Sequence, residues 1–526
     1  MSAAKKSDSK KLHQLTAVEI SEGLSDGSLR STEIVQALSD RRRNIDGSLN
    51  SFVADCDDAM KAAEEADNAR AKGKAVGPLH GVPMTIKDSV NLRGYDSTMG
   101  IASRVGKPAH EDSVLVAELR RQGSIFLGKT NVPQALLAQE TDNPVYGATK
   151  NPWNSARTPG GSSGGESAAV AAGLSPIGIG TDIGGSIRIP AHFCGLVGFK
   201  PTLDRWSNRG SNTAIKGQEI VRSQIGCLSR SVADVKLLWD SVDIPRMAES
   251  DPLMCPLPAK SLPDLRGMTI GFVDNDDFLP PGRSIRRAVG LARTALEEAG
   301  ATIVSHWPVG SRDVLATWLS ALTSDNGETL RKTIGPDAVT DAIKPSMNLI
   351  RIPKPVRRRL GGLLNTLGER RLGMLLDIVG EKTVTQLWQL TQRRTELRTE
   401  EFDAWRRSGM DALICPPHVV PAMRHGESGD FILSLGAMFR WTLLAFPAGI
   451  IPVTKVQVDE TIGYEGGNDR IAKKAAAILS GSEGLPVGVQ VVAKPFCEET
   501  MLSVMEAIES RVQRLDDFPH TPVDPA

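Results

Sequence analysis

The sequence has no net charge: 62 lysines and arginines balance 62 aspartates and glutamates. A chain without a basic excess does not bind nucleic acid through bulk charge, so that class of partner is set aside. Cysteine is sparse, six in 526 residues, with no CxxC pair and no histidine at zinc-ligand spacing. Such thiols read as scattered and reduced, which points to a cytoplasmic protein with no metal site. No run approaches the roughly 18 apolar residues of a membrane span, and the N-terminal MSAAKKSDSKK lacks the apolar stretch of a secretory signal. GxGxxG, internal repeats and low-complexity tracts are absent as well. What remains, 40% hydrophobic and 24% charged, is the composition of a soluble globular protein.

Residues 1–14 read as a disordered tail. From Thr16 to Arg43 the pattern predicts two amphipathic helices with Ser or Thr caps near their starts. Apolar runs at 82–86, 124–128 and 176–180 predict buried strands, and the small residues of 165–173 a helix between the last two. Five prolines from Pro245 to Pro263 mark a linker. Beyond it, MTIGFV, RSIRRAVGLARTALEEAG and ATIVSHW predict strand, helix and strand, a βαβ unit on a sheet.

The densest signal is residues 160–190, GGSSGGESAAVAAGLSPIGIGTDIGGSIRIP. Two serine clusters, Ser162/Ser163 and Ser186, are each embedded in glycine. Glycine on both sides lets backbone approach a substrate closely and adopt dihedrals that other residues avoid. Two such clusters in tandem look like a nucleophile with a cradle of backbone N–H groups.

This segment resembles the signature of the amidase signature family of serine hydrolases. The resemblance extends through GVPMTIKDSV at 81–90, GKTNVPQ at 128–134, FCGLVGFKPT at 193–202, SRSVADV at 229–235, FPAGIIPVT at 446–454 and LPVGVQVVA at 485–493. It implies an α/β fold, one large amidase signature domain over 15–520 with its signature core at about 75–240. The sheet would be twisted and mixed, flanked by helices on both faces. It also implies roles: Ser186 the nucleophile, Ser162 a bridging serine held by a cis peptide, and Lys87 the base. Backbone N–H groups of Ile183, Gly184, Gly185 and Ser186 would form the oxyanion hole. Ser163, Asp182 and Arg188 are expected in support. To act as a base Lys87 must be neutral, and burial among Val82, Met84 and Ile86 would lower its pKa; neighbouring Asp88 is expected to point outward. A Ser–Ser–Lys relay needs no cofactor.

Other motifs lead nowhere. Gly123 to Thr130 fits GxxxxGKT, yet its interior SIFL is strand-like and Pro133 stands where a phosphate-binding helix should run. GxSxG fits Ser162 and Ser163, but the preceding NPWNSARTP is turn-like, where an α/β-hydrolase elbow needs a strand. His192 reads as structural, and SxxK at Ser7 and Lys10 as chance.

Residues 351–379 narrow the substrate. Val356, Leu360, Leu363, Leu364 and Leu367 keep helical spacing, and Leu372, Leu375, Leu376 and Val379 repeat it. Arg351, Lys354, Arg357, Arg358, Arg359, Arg370 and Arg371 stand against only Glu369 and Asp377. A basic amphipathic helix pair suits a membrane-surface cap; the competing reading is core packing with a solvated basic face. This segment, 382–418 and WTLLAFPAGIIPVT resemble the fatty acid amide hydrolase branch, implying N-acylethanolamine or primary fatty amide substrates and peripheral contact with a membrane. Leu136 and Leu137 depart from the larger residues expected there, and no N-terminal spanning helix is read. A general amidase of short aliphatic or aryl amides is the alternative. The glutaminase subunit of a tRNA-dependent amidotransferase would need a polar pocket where SLGAMFRWTLLAF (434–446) is apolar. A catalytically silent scaffold would not need Lys87, Ser162 and Ser186 together. A homodimer stays open.

Overall fold

The computed structural model describes residues 10–526. Eleven strands form one mixed sheet: β1 (Phe52–Asp55), β2 (Pro83–Lys87), β3 (Ile125–Thr130), β4 (Ile177–Asp182), β5 (Val197–Lys200), β6 (Gln224–Ser229), β7 (Thr269–Phe272), β8 (Thr302–Ser305), β9 (Ala412–Cys415), β10 (Ala448–Lys455) and β11 (Pro486–Ala493). Their order across the sheet is β1-β3-β2-β4-β6-β5-β10-β11-β9-β7-β8. β2 runs parallel to both β3 and β4, whereas β4, β6, β5, β10, β11 and β9 pair antiparallel in succession.

Burial explains the strand sequences. β2, β3, β4, β6 and β11 are buried at every position, so they read as continuous runs rather than alternating ones, as strands covered by helices on both faces do. The edge strands β1 and β8 carry exposed positions. The βαβ unit forms as predicted: β7, the helix Arg283–Glu298 and β8, with the two strands parallel. The proline-rich stretch enters a short helix at Ile244–Ser250, with Pro245 in its first turn, and then crosses to β7 without regular structure.

The N-terminal helices are Ala17–Asp26 and Ser31–Leu49. Thr16 caps the first by accepting from the Glu19 N–H, and Glu19 reaches back to the Thr16 N–H, a reciprocal capping box. Of the expected 1–14 tail, residues 1–9 lie outside the described residues; Leu12–Gln14 form a single 3-10 turn, with Leu12 packed on the core. Among the described residues no helix is long and apolar enough to cross a membrane.

The segment around 351–379 is three helices, Lys344–Arg351, Lys354–Thr366 and Arg370–Ile378. Their apolar stripes face different ways. Val356, Leu360, Leu363 and Leu367 are exposed, the last at 68%. Leu376 and Val379 are buried and Leu372 and Leu375 half-buried against the core.

Candidate active site

Lys87 ends β2, and Thr181 and Asp182 end the adjacent β4. The parallel pairing of these strands brings the Lys87 side chain to the loop that carries Ser162 and Ser163 into the helix Gly164–Ala171. Lys87 Nζ lies 2.7 Å from Ser162 Oγ, 2.9 Å from Ser163 Oγ and 2.9 Å from Thr181 Oγ1. The lysine is fully buried. Burial pushes its pKa down from 10.5 to about 7, against the opposing pull of Asp182, Glu166 and Asp88. Thr181 was not singled out from sequence; it lies inside the TDIGGS run and could have been found by asking what else a buried ammonium must contact.

The Gly161–Ser162 peptide is cis, as the resemblance implied. Ser163 N–H donates to the Ser186 carbonyl at 3.1 Å, which fastens the two serine loops together. Among the described residues no hydrogen bond joins Ser162 Oγ to Ser186 Oγ. Ser186 is 7% exposed and lines a cavity.

Asp182 and Arg188 are both fully buried and bond in a two-pronged pair: Arg188 Nε to Asp182 Oδ2 and Nη2 to Oδ1, each at 2.9 Å. Burial would raise the Asp182 carboxyl, but Arg188 outweighs it and holds the pKa at about 2. Arg188 also donates to Gln490 Oε1 on β11, and to Met438 O and Thr442 Oγ1 on the helix Gly436–Leu443. This pair sets the curve of residues 182–188. It also corrects one expectation. The Gly185 N–H donates to Asp182 Oδ1 at 2.8 Å, so it is engaged in shaping the loop, leaving the N–H groups of Ile183, Gly184 and Ser186 without a partner among the described residues. Gly184 is required: a Cβ there would sit 2.8 Å from Phe439 Cε1 and 3.0 Å from Trp318 Cζ2. Those two rings stack with centroids 3.6 Å apart, and Trp318 Nε1 donates to Ile183 O at 3.3 Å.

Asp88 differs from expectation. It is buried, and its carboxylate accepts from Thr98 N–H and Oγ1 and from Met99 N–H; three donors on one loop draw it inward. Glu166, also unnoticed in the sequence, is fully buried and accepts from Thr130 Oγ1 at 2.8 Å and Thr85 Oγ1 at 2.5 Å. Burial pushes its pKa up to about 8. Lys129 of the GxxxxGKT match lies on β3, buried, donating to Val90 O and Asp96 O, so no phosphate loop exists there. His192 is buried between Val420 O and the Gly488 N–H, away from the serines. Among the described residues no three His, Cys, Asp or Glu side chains gather as a metal site.

The cavity before Ser186 has a volume of about 140 Å³. Ile183, Gly184, Ser186, Trp318 and Phe439 form its inner end. Leu136, Leu137, Leu322 and Leu435 line its course, and Met347, Ile350, Leu375 and Val379 from the two cap helices 344–351 and 370–378, with the residue after the second, form part of its wall. Ala135 and Leu136 adopt left-handed backbone, φ 55° and 62°, a conformation that non-glycine residues take up where a site demands it.

A family model described as amidase matches residues 33–502. The chain belongs to the amidase family. It is therefore an amide-hydrolysing enzyme, as the signature implied. Fatty-acid amide hydrolase 1 of Sus scrofa is 33% identical over 482 residues, covering 88% of this chain and 79% of that one. An acetamidase of Aspergillus oryzae is 29% identical over 522 residues, covering 95% of this chain and 90% of its own. A solved fatty acid amide hydrolase structure superposes with a TM-score of 0.83 at 26% identity, over 96% of this chain and 86% of that one. The amidase therefore has relatives both among enzymes named for fatty amides and among those named for acetamide.

Proposed function

We propose that this amidase hydrolyses lipid-like carboxamides, N-acylethanolamines or primary fatty amides, through Lys87, Ser162 and Ser186. The observation that carries the reading is the cavity: its lining is apolar and reaches from Ser186 to Met347 and Ile350 of the helix 344–351 and Leu375 of the helix 370–378. Lys87, neutral near and above pH 7, takes the proton of Ser162, and Ser162 takes that of Ser186. The Ser186 oxygen attacks the amide carbonyl, and the N–H groups of Ile183, Gly184 and Ser186 receive the oxyanion. The proton returns through Ser162 to the departing amine, and water releases the acyl group. The relay requires Ser186 Oγ to turn toward Ser162 when substrate binds, since the two hydroxyls are not bonded without it; hydrogen bonds of this kind often tighten only in the substrate complex. Ser163 and Thr181 hold Lys87 in place, and Asp182 with Arg188 holds the oxyanion loop.

The exposed stripe Val356, Leu360, Leu363 and Leu367, flanked by exposed Arg351, Arg358 and Arg359, supports docking of this cap on a membrane surface, next to the cavity. The acetamidase relatives favour a second reading, a general amidase of short amides. Hydrolysis of amides from acetyl to oleoyl, with and without liposomes, separates the two. The lipid reading expects kcat/KM to climb steeply with chain length; a profile that peaks at acetamide, indifferent to liposomes, would sink it.

A further inference from the structure

The turn between the helices Arg370–Ile378 and Val384–Ser408 holds cations with no counter-charge. Arg357, on the helix Lys354–Thr366, is only 3% exposed. Its guanidinium lies against Gly380, where a Cβ would come 2.7 Å from Cζ. Nε and Nη1 are buried and have no hydrogen-bond partner. The nearby carbonyls of Ile378 and Gly380 are both taken by Lys382 Nζ, at 2.7 and 2.8 Å. Lys382 is half-buried, and burial, then the charges of Arg357 and Lys354, push its pKa down to about 8. Two carboxylates stand in the vicinity and neither answers these charges. Asp377 faces Gly361, one turn further along the helix, and Glu381 is exposed; among the described residues neither pairs with Arg357, Lys354 or Lys382.

A buried guanidinium with unmade hydrogen bonds beside two ammonium groups is costly unless an anion completes it. The donor set specifies the anion. Nε and Nη1 lie on different edges of the guanidinium, so each asks for an acceptor of its own, and two ammoniums ask for further ones. A phosphate group offers that many oxygens, whereas a carboxylate has two. We propose that Arg357, Lys382 and Lys354 form a seat for a phosphate group beside the wall of the substrate cavity. The connection to the cavity is direct: the Gly380 N–H donates to Thr323 Oγ1 at 2.9 Å, and both Thr323 and Val379 line the cavity wall. An occupied seat fixes this turn, and with it the wall. The phosphate can come from the headgroup of an anionic lipid or from a free phosphate. Exposed Val356, Leu360, Val384 and Trp388 nearby suit the first, and only that source rests on the docking reading above.

The test uses the full chain, Arg357→Met, and Lys354→Glu, an exposed change that does not threaten folding. Tm is followed as inorganic phosphate replaces chloride at constant ionic strength. Sedimentation is followed with phosphatidylcholine vesicles and with vesicles containing phosphatidylglycerol. The expected result is a saturable phosphate-dependent rise in Tm that Arg357→Met lacks and Lys354→Glu weakens, with Arg357→Met no less stable than the parent when phosphate is absent. At least tenfold tighter binding to phosphatidylglycerol vesicles, competed by phosphate and lost in the variants, assigns the seat to a headgroup. The saturable rise without that preference assigns it to a free phosphate. An equal rise in parent and variants, or neither a rise nor a vesicle preference, overturns the seat. Binding to neutral vesicles that the variants do not change would keep the apolar docking reading and still exclude the seat.

Discussion

Replacing Lys87 with methionine should cut hydrolysis by orders of magnitude without unfolding the protein, and its effect on stability should change with pH. In the folded chain burial brings the Lys87 pKa from 10.5 to about 7; at 1.36 kcal/mol per pH unit the folded state gives up about 5 kcal/mol below pH 7. The sign follows from proton counting. Between pH 7 and 10.5 the unfolded lysine holds a proton that the folded one has lost, so stability rises with pH across that window. The cost is complete below pH 7, is about 3 kcal/mol at pH 8 and vanishes above 10.5. Methionine removes it but forfeits contacts with the Ser162, Ser163 and Thr181 hydroxyls, about 1 kcal/mol each. The variant should therefore match the parent at pH 8 to within about 1 kcal/mol and exceed it by roughly 2 kcal/mol at pH 6. Urea unfolding at both pH values reads this difference. Over the same range kcat/KM should drop by about 10²–10⁴, the usual contribution of a general base. A variant that is less stable by about 3 kcal/mol or more at both pH values, or one that retains a tenth of the parent activity, would refute the assignment of Lys87 as a buried neutral base.

Three further outcomes follow from the same geometry. In the parent, kcat/KM should fall about tenfold per pH unit below pH 7 as Lys87 takes up its proton, and a profile flat down to pH 5 would mean that another group is the base. Arg188→Met leaves Asp182 buried and unpaired, so urea unfolding should show a loss of about 3–5 kcal/mol; a loss under 1 kcal/mol would mean that the pair does not hold the loop. Gly184→Ala drives a methyl into the Trp318–Phe439 stack, which should shift the oxyanion donors and cut kcat by about 10²–10³, while unchanged kcat would place the oxyanion elsewhere.

The sequence made some of this structure readable for identifiable reasons. β2, β3 and β4 stand out because each is a continuous apolar run closed by turn residues, and the βαβ unit because its helix keeps one apolar face. The serines and Lys87 stand out through their flanking glycines and the family signature. The sheet order was not legible, since β5 pairing with β10 joins segments about 250 residues apart and no local pattern encodes such a partner. Side-chain direction was equally hidden. Asp88 turns inward because Thr98 and Met99 offer it three donors, and the Gly185 N–H is captured by Asp182 because Arg188 fixes that carboxylate. Glu166 passed as one more residue of a small-residue helix; only the threonines of two neighbouring strands reveal it as a buried acid. The 351–379 pattern showed two amphipathic helices but could not show that one stripe faces solvent while the other closes the cavity.

The central claim is that Ser186 carries the acyl group. A long-chain amide is mixed with the protein, quenched in acid within the first turnovers, and the peptides are weighed. The acyl mass should appear on the peptide containing Ser186 and be absent after Ser186→Ala. An acyl group on Ser162 or Ser163, or steady turnover by Ser186→Ala, would contradict it.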